Sequence, residues 1–412
     1  MNKKSTVDLI HGPILPALIS FALPILLSNI FQQLYNTADI LIVGRFLGQE
    51  SLAAVGATTA IFDLIIGFAL GVGNGMGVVI ARLYGARNFE KIKEAVAATW
   101  ILGIILSVLV MLMGFFGLYP LLQYLETPAE ILPQSYEYIS MIVSCVGVSF
   151  AYNLFAGLLR SVGDSLAALG FLIFSAIVNV ILDLYFITQL QLGVQSAGLA
   201  TIISQGLSAI LCYFYIRKSV PELLPRLKDF KWNKALYVDL LEQGLAMGLM
   251  GSIVSVGSVI LQSSVNSFGA VIISAQTAAR RIMAFALLPM TAISASMTTF
   301  ISQNFGAKRP DRIVHGLRLG SYISMAWASF ACVFLFFASP SLVSFLASST
   351  DGYLIENGAL YLRISSVFYP FLSLLLIYRN SLQGLGQKFL PLVSSFIEFF
   401  GKIIFVAWII PW

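Results

Sequence analysis

Long apolar runs separated by short polar breaks dominate the pattern of hydrophobic and polar positions along this 412-residue chain. A helix needs about 20 consecutive apolar residues to cross about 30 Å of hydrocarbon, so these runs predict about eleven membrane-spanning helices. The predicted spans are 14–43, 51–81, 95–119, 133–158, 166–188, 196–216, 237–266, 271–303, 319–347, 355–379 and 388–410. Many are longer than the hydrocarbon requires, which indicates tilt or extension beyond it. The pattern predicts an all-α polytopic membrane protein.

The composition supports the same class. The chain is 58% hydrophobic and 10% charged, with a mean hydropathy of +0.89, and a soluble domain needs more charge than this to cover its surface. Cys145, Cys212 and Cys332 all lie in apolar segments, so they are expected to be free thiols rather than a disulfide framework. His11 and His315 are the two histidines. A histidine-based metal site or catalytic dyad is therefore not expected.

The basic residues predict the orientation of the chain. A net charge of +5 is compatible with nucleic-acid binding, but the charge is concentrated in short loops on alternate sides of the predicted spans, and 19 of the 24 basic residues share one side. These residues are Lys3, Lys4, Arg82, Arg87, Lys91, Lys93, Arg160, Arg217, Lys218, Arg226, Lys228, Lys231, Lys234, Lys308, Arg309, Arg312, Arg318, Arg379 and Lys388. Since Lys and Arg accumulate in cytoplasmic loops, we expect a plasma-membrane protein with a cytoplasmic N-terminus and no nucleic-acid partner.

The two halves of the chain share residues at a fixed separation. Seven residues recur 221 positions later, and Leu159 and Gly163 recur 223 positions later as Leu382 and Gly386. The seven are Gly48, Ala54, Met76, Ile80, Gly85, Ala86 and Ile92, which recur as Gly269, Ala275, Met297, Ile301, Gly306, Ala307 and Ile313. The repeat predicts an N-terminal six-helix lobe over 1–216, a cytoplasmic linker over 217–236 and a C-terminal lobe over 237–412.

An even number of spans in each half starts both halves on the same membrane face. The lobes are therefore expected to be related by a pseudo-two-fold axis along the membrane normal, with a substrate route between them. By this repeat the sixth helix of the second half falls near residues 418–440, beyond Trp412. We expect five helices in the C-terminal lobe and no twelfth helix in this chain, which is either truncated or works with eleven.

Several segments together resemble one transporter family, the multidrug and toxic compound extrusion (MATE) family. They are Pro24–Gly44, LAAVG at Leu52–Gly56, YGAR at Tyr84–Arg87, LRSVGD at Leu159–Asp164, NVILD at Asn179–Asp183 and TTFISQNFGAK at Thr298–Lys308. The resemblance implies two six-helix lobes and export of drugs and other amphipathic, often cationic compounds in exchange for Na⁺ or H⁺. It implies no enzyme activity and no prosthetic cofactor, and we expect a monomer in the lipid membrane.

A few polar residues inside the predicted spans are candidates for ion coupling, because a charge there costs about 2.5–3.5 kcal/mol on insertion scales. Asp39 and Asp183 lie near the outer ends of their spans, Thr201 lies at a matching depth, and Asn179 is one helical turn from Asp183. They predict either an oxygen-lined cation site or a carboxylate pair that shares one proton. The same four residues match the N-lobe ion site implied by the resemblance, and Asn153 resembles an asparagine that lines the same cavity. The alternative is that these groups only join helices or cap an outer turn.

The second repeat lacks both carboxylates, since Asp39 aligns with Ile260 or Leu261 and Asp183 aligns with Val406. Coupling is therefore expected to be centred on the first lobe. In the second lobe Glu398 and Lys402 are one turn apart, which favours a mutually neutralising pair.

Other polar residues are candidates for the wall of the substrate cavity. Arg280 and Arg281 form a basic pair inside a span, and Gln33 and Tyr35 belong to a polar and aromatic stretch before Asp39. Aromatic and amide side chains suit planar cations, although packing between helices is the alternative for each of them.

Four other functional interpretations compete with this one. An intramembrane aspartyl protease would need the motif glycine–any residue–glycine–aspartate, but Ser161 stands in the first position of the segment that ends in Gly163 and Asp164. A major facilitator carrier would need a basic signature between the second and third spans, and the loop RLYGARNFEK lacks it. The closest rival is a flippase for lipid-linked saccharides, whose fold belongs to the same superfamily. Such flippases carry a strongly cationic cavity, whereas carboxylates dominate the N-terminal spans here. A channel or scaffold is disfavoured by the repeat and by the buried acids.

Overall fold

The computed structural model of the protein describes residues 6–125, 127–265, 268–347 and 351–409, and in these ranges it contains helices and turns but no β-strand. The α-helices are α1 (Ile14–Phe46), α2 (Gln49–Gly85), α3 (Phe89–Tyr124), α4 (Leu132–Ser144), α5 (Val146–Ser161), α6 (Ser165–Thr188), α7 (Gln195–Ser219), α8 (Lys234–Val265), α9 (Ala270–Gly306), α10 (Pro310–Ala347), α11 (Gly352–Val367), α12 (Tyr369–Gly384) and α13 (Phe389–Ile404). Short 3₁₀ turns at Pro221–Leu223 and Leu227–Asp229 lie in the linker, and a π-helical turn at Phe405–Ile409 follows α13.

The helices agree with the predicted spans. Within the described ranges nine helices are long and apolar enough to cross a membrane, and there are up to 11 spans if each of the pairs α4–α5 and α11–α12 is counted as one. Each pair is bent by 51°, a break that the apolar runs 133–158 and 355–379 did not predict. The last residues of two predicted spans, 266 and 410, lie outside the described ranges.

The outer surface is strongly apolar along the helices. Phe115, Phe116, Phe337 and Phe371 expose between 70% and 76% of their surface, whereas Asp183, Asn179 and many serines are buried. This is the reverse of a soluble protein and is expected where lipid is the solvent, because only internally hydrogen-bonded helices or closed barrels satisfy their backbone there. The chain is a multi-pass membrane protein.

The sequence repeat is also present in the backbone. Three pairs of residues with left-handed backbone have the separations of the repeat, 221 or 223 positions: Gly48 and Gly269 (φ 89° and 88°), Arg87 and Lys308 (φ 55° and 55°), and Gly163 and Gly386 (φ 90° and 82°). The bends between α4 and α5 and between α11 and α12 occur at Cys145 and Phe368, also 223 apart. The shared sequence positions therefore mark matching turns and breaks.

The first and second halves of the chain meet backbone to backbone where α2 and α9 end. We call the face of the molecule that contains these ends, the start of α1 and most basic residues the basic side. A Cβ on Gly85 would overlap the carbonyl of Gln303, and a Cβ on Gly306 would overlap the carbonyl of Arg82. Further along α2, a Cβ on Gly71 would lie 2.6 Å from Cα of Gly248 in α8. Glycine permits each of these close contacts because it has no side chain.

An ion cluster lies beside this glycine contact. Lys388, which precedes α13, is 2.8 Å from Asp239 and 2.7 Å from Glu242, and Arg82 of α2 also pairs with Asp239. Burial favours the neutral amine, but hydrogen bonds to the two carboxylates outweigh it and raise the pKa of Lys388. The cluster joins α2 to α8 and α13 through charge as well as through packing.

The N-terminal segment before α1 binds both halves on the same side. The amide of Val7 donates to the carbonyl of Gly163 at 3.0 Å. The buried carbonyl of Leu9 accepts from Asn304 at 3.1 Å and from Arg312 at 3.2 Å. These bonds fix the turn between α5 and α6 relative to the turn between α9 and α10.

Helix α1 packs against both halves of the chain. Near its start, Phe21 and Ile25 belong to a buried cluster with Phe300 and Ile377 of α9 and α12. Near its end, Val43 belongs to the large core of the first half. One helix of the predicted N-terminal lobe therefore contributes to the core of the second half as well.

The glycine contact generates a first prediction. Gly85→Ala should lower the apparent melting temperature of the detergent-purified protein, because the added methyl group overlaps the Gln303 carbonyl and overpacking costs about 1–3 kcal/mol. Gly56→Ala is the matched control, since it lies in the same helix and its Cβ would meet nothing within 4 Å. The control should melt like the unmodified protein or higher. Equal melting of the two variants would contradict the prediction.

Candidate functional site

Helices α1, α6 and α7 bring a set of predicted polar residues into one buried cluster. The Tyr35 hydroxyl is 3.0 Å from Oγ1 of Thr201, and the amide of Asn179 donates to the same oxygen at 3.3 Å. The Thr201 hydroxyl donates its own proton to the carbonyl of Ala197 at 3.0 Å. Tyr35 is therefore the donor in its bond with Thr201, and the cluster has a defined direction of hydrogen bonding.

The carboxyl groups of Asp39 and Asp183 are close enough to interact with each other electrostatically. Asp183 and Asn179 are fully buried, one turn apart on α6. Oδ1 of Asp39, both carboxylate oxygens of Asp183 and Oδ1 of Asn179 are buried and receive no hydrogen bond from the described part of the chain. Two adjacent ionised carboxylates without donors are unfavourable in a buried site. A proton shared between them, or a bound cation, would relieve this.

The donor set fits a hard monovalent cation or a proton. It consists of two carboxylates with nearby amide, hydroxyl and phenol oxygens, and oxygen ligands suit hard cations. Among residues 6–125, 127–265, 268–347 and 351–409, no group of three or more His, Cys, Asp or Glu side chains could hold a metal ion.

Asn153 lies in a neighbouring network rather than in hydrogen-bond contact with the carboxylates. Its amide donates to the carbonyl of Ser149 at 2.8 Å, and the Ser149 hydroxyl donates to Gln205 of α7 at 2.6 Å. Gln205 is one turn from Thr201 on α7. Asn153 therefore borders the site through α7.

The residues predicted for the substrate cavity are dispersed. Tyr35 is buried against Thr201, and Gln33 of the same helix is exposed. Arg280 is half-buried and donates to Gln262 of α8 at 2.6 Å, whereas Arg281 is exposed. The structure does not bring these four residues together.

The expected ion pair in the second half is confirmed. Nζ of Lys402 is 3.0 Å from Glu398, and Arg379 is a second partner of that carboxylate at 3.3 Å. Arg379 and Arg160 were assigned to loops, but they lie within α12 and α5 and point among other helices. Both helices extend further than the apolar runs indicated.

Two residues near the site were missed by the sequence analysis. Tyr138 of α4 is buried close enough to interact with Asp39 and Asp183. Nothing in the local sequence signals this, because it depends on how α4 packs. Asp63 is a carboxylate inside the predicted span 51–81, and its side chain is exposed in α2. The sequence does signal Asp63, because it is an acidic residue inside a predicted membrane span.

Known proteins similar to this chain are named as multidrug resistance proteins and transporters. It is 27% identical over 394 residues to the "Probable multidrug resistance protein YpnP" of Bacillus subtilis (strain 168), covering 95% of this chain and 87% of the relative. It is 26% identical to a "FAD transporter" of Shewanella oneidensis, again over 95% of this chain and 87% of the relative. A solved structure titled "Outward-facing conformation of a multidrug resistance MATE family transporter of the MOP superfamily" superposes with a TM-score of 0.88 at 24% identity, covering 99% of this chain and 92% of that one.

The superposition shows that the fold is shared. The sequence profile of the MatE family matches two stretches, 24–185 and 246–409, which together make up most of the chain. These stretches begin 222 positions apart, in agreement with the separation of the internal repeat. The chain therefore belongs to the MatE (multidrug and toxic compound extrusion) family of membrane transporters.

Proposed function

We propose that this protein is an antiporter that exports drugs and other amphipathic, often cationic molecules in exchange for Na⁺ or H⁺. The observation that carries the proposal is the pair of Asp39 and Asp183, in which Oδ1 of Asp39 and both carboxylate oxygens of Asp183 are buried and lack donors within the described residues. Such a pair is costly inside a membrane unless it binds a positive charge. Multidrug resistance proteins among the relatives support the substrate class.

The contacts between the halves support two lobes related by a pseudo-two-fold axis. Gly85 contacts Gln303 and Gly306 contacts Arg82, and both Arg82 to Gln303 and Gly85 to Gly306 are separations of 221 residues. Such reciprocal contacts are characteristic of an interface with two-fold symmetry. We place the lobes at 1–216 and 237–412, joined by the linker 217–236.

In the proposed orientation the basic side faces the cytoplasm. The glycine contacts, the Lys388 cluster and the N-terminal segment join the two halves on that side, so this conformation has its cytoplasmic end closed. The central space between the lobes would then open outward. Alternating access requires these contacts to separate while equivalent ones form on the opposite side.

Helix α1 is the element that would link ion binding to this movement. It carries Asp39 and Tyr35 toward one end, and Phe21 and Ile25 near its start pack against the second half. Neutralising the carboxylate pair removes the electrostatic repulsion between α1 and α6. The loss of this repulsion changes the preferred position of α1 relative to α6. In this proposal the ion and the substrate compete through the position of α1.

Neutral variants of the pair test the coupling. In everted vesicles with imposed Na⁺ or pH gradients, Asp39→Asn and Asp183→Asn should each reduce coupled export of a fluorescent cation by about tenfold or more. Losing charge-assisted contacts to the ion costs roughly 1.5–3 kcal/mol. The folded protein should persist, because a neutral amide is less costly in a membrane than a carboxylate.

Glu398→Gln is a control for the same chemical change. Glu398 is paired with Arg379 and Lys402, so it does not belong to the carboxylate pair. This control should retain the ion dependence of the unmodified protein. Export by both pair variants with unchanged ion dependence would show that Asp39 and Asp183 do not couple the ion.

The orientation has its own test. In a background without Cys145, Cys212 and Cys332, Leu227→Cys in the linker should react with an impermeant thiol reagent only from the cytoplasmic side, since Leu227 is 93% exposed. Leu190→Cys, in the loop between α6 and α7, should react only from outside. Reversed labelling of the two sites in intact cells would overturn the proposed orientation.

A further inference from the structure

A polar cavity of about 260 Å³ lies between the two halves, separate from the carboxylate pair. Its walls come from α1, α2, α5, α6, α8, α9 and α12, and its polar lining includes Asn29, Asn74, Thr298 and Asn380. Arg160 is the charged residue among the lining residues, and no Asp or Glu of the described part of the chain lines the cavity. The volume is close to the lower end of the roughly 300–1,000 Å³ of small-molecule sites.

The guanidinium of Arg160 has a neutral partner. It donates through Nη2 to Oδ1 of Asn74 at 2.9 Å, and no carboxylate of the described residues lies within salt-bridge distance of it. By contrast, Arg379 and Lys402 are paired with Glu398. Guanidinium has five N–H donors in a fixed plane, so Arg160 keeps donors available, and a charge inside a membrane protein requires compensation.

The position of Arg160 is fixed by close packing of α2 on α5. A Cβ on Gly157 would lie 2.7 Å from the carbonyl oxygen of Gly73, and a Cβ on Gly77 would lie 3.2 Å from that of Gly157. Gly73 adjoins Asn74, and Gly157 is one turn from Arg160. The two side chains are therefore held at a short, defined distance, which reduces the entropy lost when a ligand binds.

The hydrogen bond also orients Asn74. Since its Oδ1 accepts from Arg160, its amide nitrogen faces away from the guanidinium and remains a donor. The two side chains together present N–H groups, and planar or tetrahedral oxyanions are bound by such groups. A cationic group would instead meet the positive charge of Arg160.

We propose that this cavity binds an anionic oxygen group, a carboxylate or phosphate, carried by the transported molecule, so that zwitterionic and anionic amphiphiles belong to the substrate range. The anion site uses α2 and α5 and the ion site uses α1, α6 and α7, so the two share no side chain. Because both halves line the cavity, a bound substrate contacts both. This inference rests on the proposed transport function in one respect only, namely that the bound ligand is a transported substrate.

Binding to the purified protein tests the site without any ion gradient. The probes are rhodamine B, which carries a free carboxylate, and its ethyl ester, which lacks that negative charge, with affinity measured by fluorescence anisotropy. Arg160→Gln should weaken binding of the carboxylate probe by about tenfold or more, because a charge-assisted hydrogen bond is lost. Binding of the ester should change by less than about twofold, and inorganic phosphate should displace the carboxylate probe only where Arg160 is present.

A second variant keeps the arginine and its packing. Asn74→Asp supplies a carboxylate to Arg160 and should selectively weaken binding of the carboxylate probe, as Arg160→Gln does. Arg160→Lys keeps a positive charge at this position, so it should bind the carboxylate probe more tightly than Arg160→Gln does. Arg217→Gln removes an exposed charge at the end of α7 and should change neither probe.

Melting curves of each variant show whether it is folded. Equal binding of both probes in all variants, or equal loss of both probes in Arg160→Gln and Asn74→Asp, would overturn the anion site. The Asp39→Asn variant should still distinguish the carboxylate probe from its ester as the unmodified protein does. A failure of ion coupling and a failure of the anion site therefore give different results.

Discussion

The hydrocarbon interior of a membrane supplies no hydrogen-bond partners, so the polar groups of this chain must find partners within the protein. Most of them do, as Glu398 does with Arg379 and Lys402. Among the buried groups of the described chain that depart from this rule, two places inside the helix bundle carry charged side chains. Asp39 and Asp183 present carboxylate oxygens without donors in the described chain, and Arg160 has a neutral partner. These are the places where a positive and a negative ligand group, respectively, would be stabilised.

Glycine determines how closely the halves approach. The ends of α2 and α9 meet where any larger residue at Gly85 or Gly306 would overlap the opposite backbone. The same helix places Gly73 and Gly77 against α5, which positions Asn74 beside Arg160. Closure of the basic side and the geometry of the polar cavity therefore depend on one glycine-rich helix. The three ion pairs of the Lys388 cluster and the N-terminal segment add to this contact without replacing it.

The candidate site was partly visible in the sequence. Asn179 and Asp183 are one turn apart on any helix, and buried acids are conspicuous in apolar runs. The hydrogen bond of Tyr35 to Thr201 and the proximity of Tyr138 were not visible, because they join α1, α4 and α7 across the bundle. The bends at Cys145 and Phe368 were also missed. Their apolar runs are continuous, and a break within such a run leaves hydropathy unchanged.

The sequence by itself determined the spans and the repeat. Those follow from patterns within the chain, namely the length of an apolar run and residues that recur at a fixed separation. The tertiary structure decided which polar groups face each other. Asp39 and Asp183 are 144 residues apart in the chain, and Arg160 was expected in a loop. Packing of α5 against α2 turned that arginine into the cavity, because side-chain direction across helices is set by contacts between them and not by any local pattern.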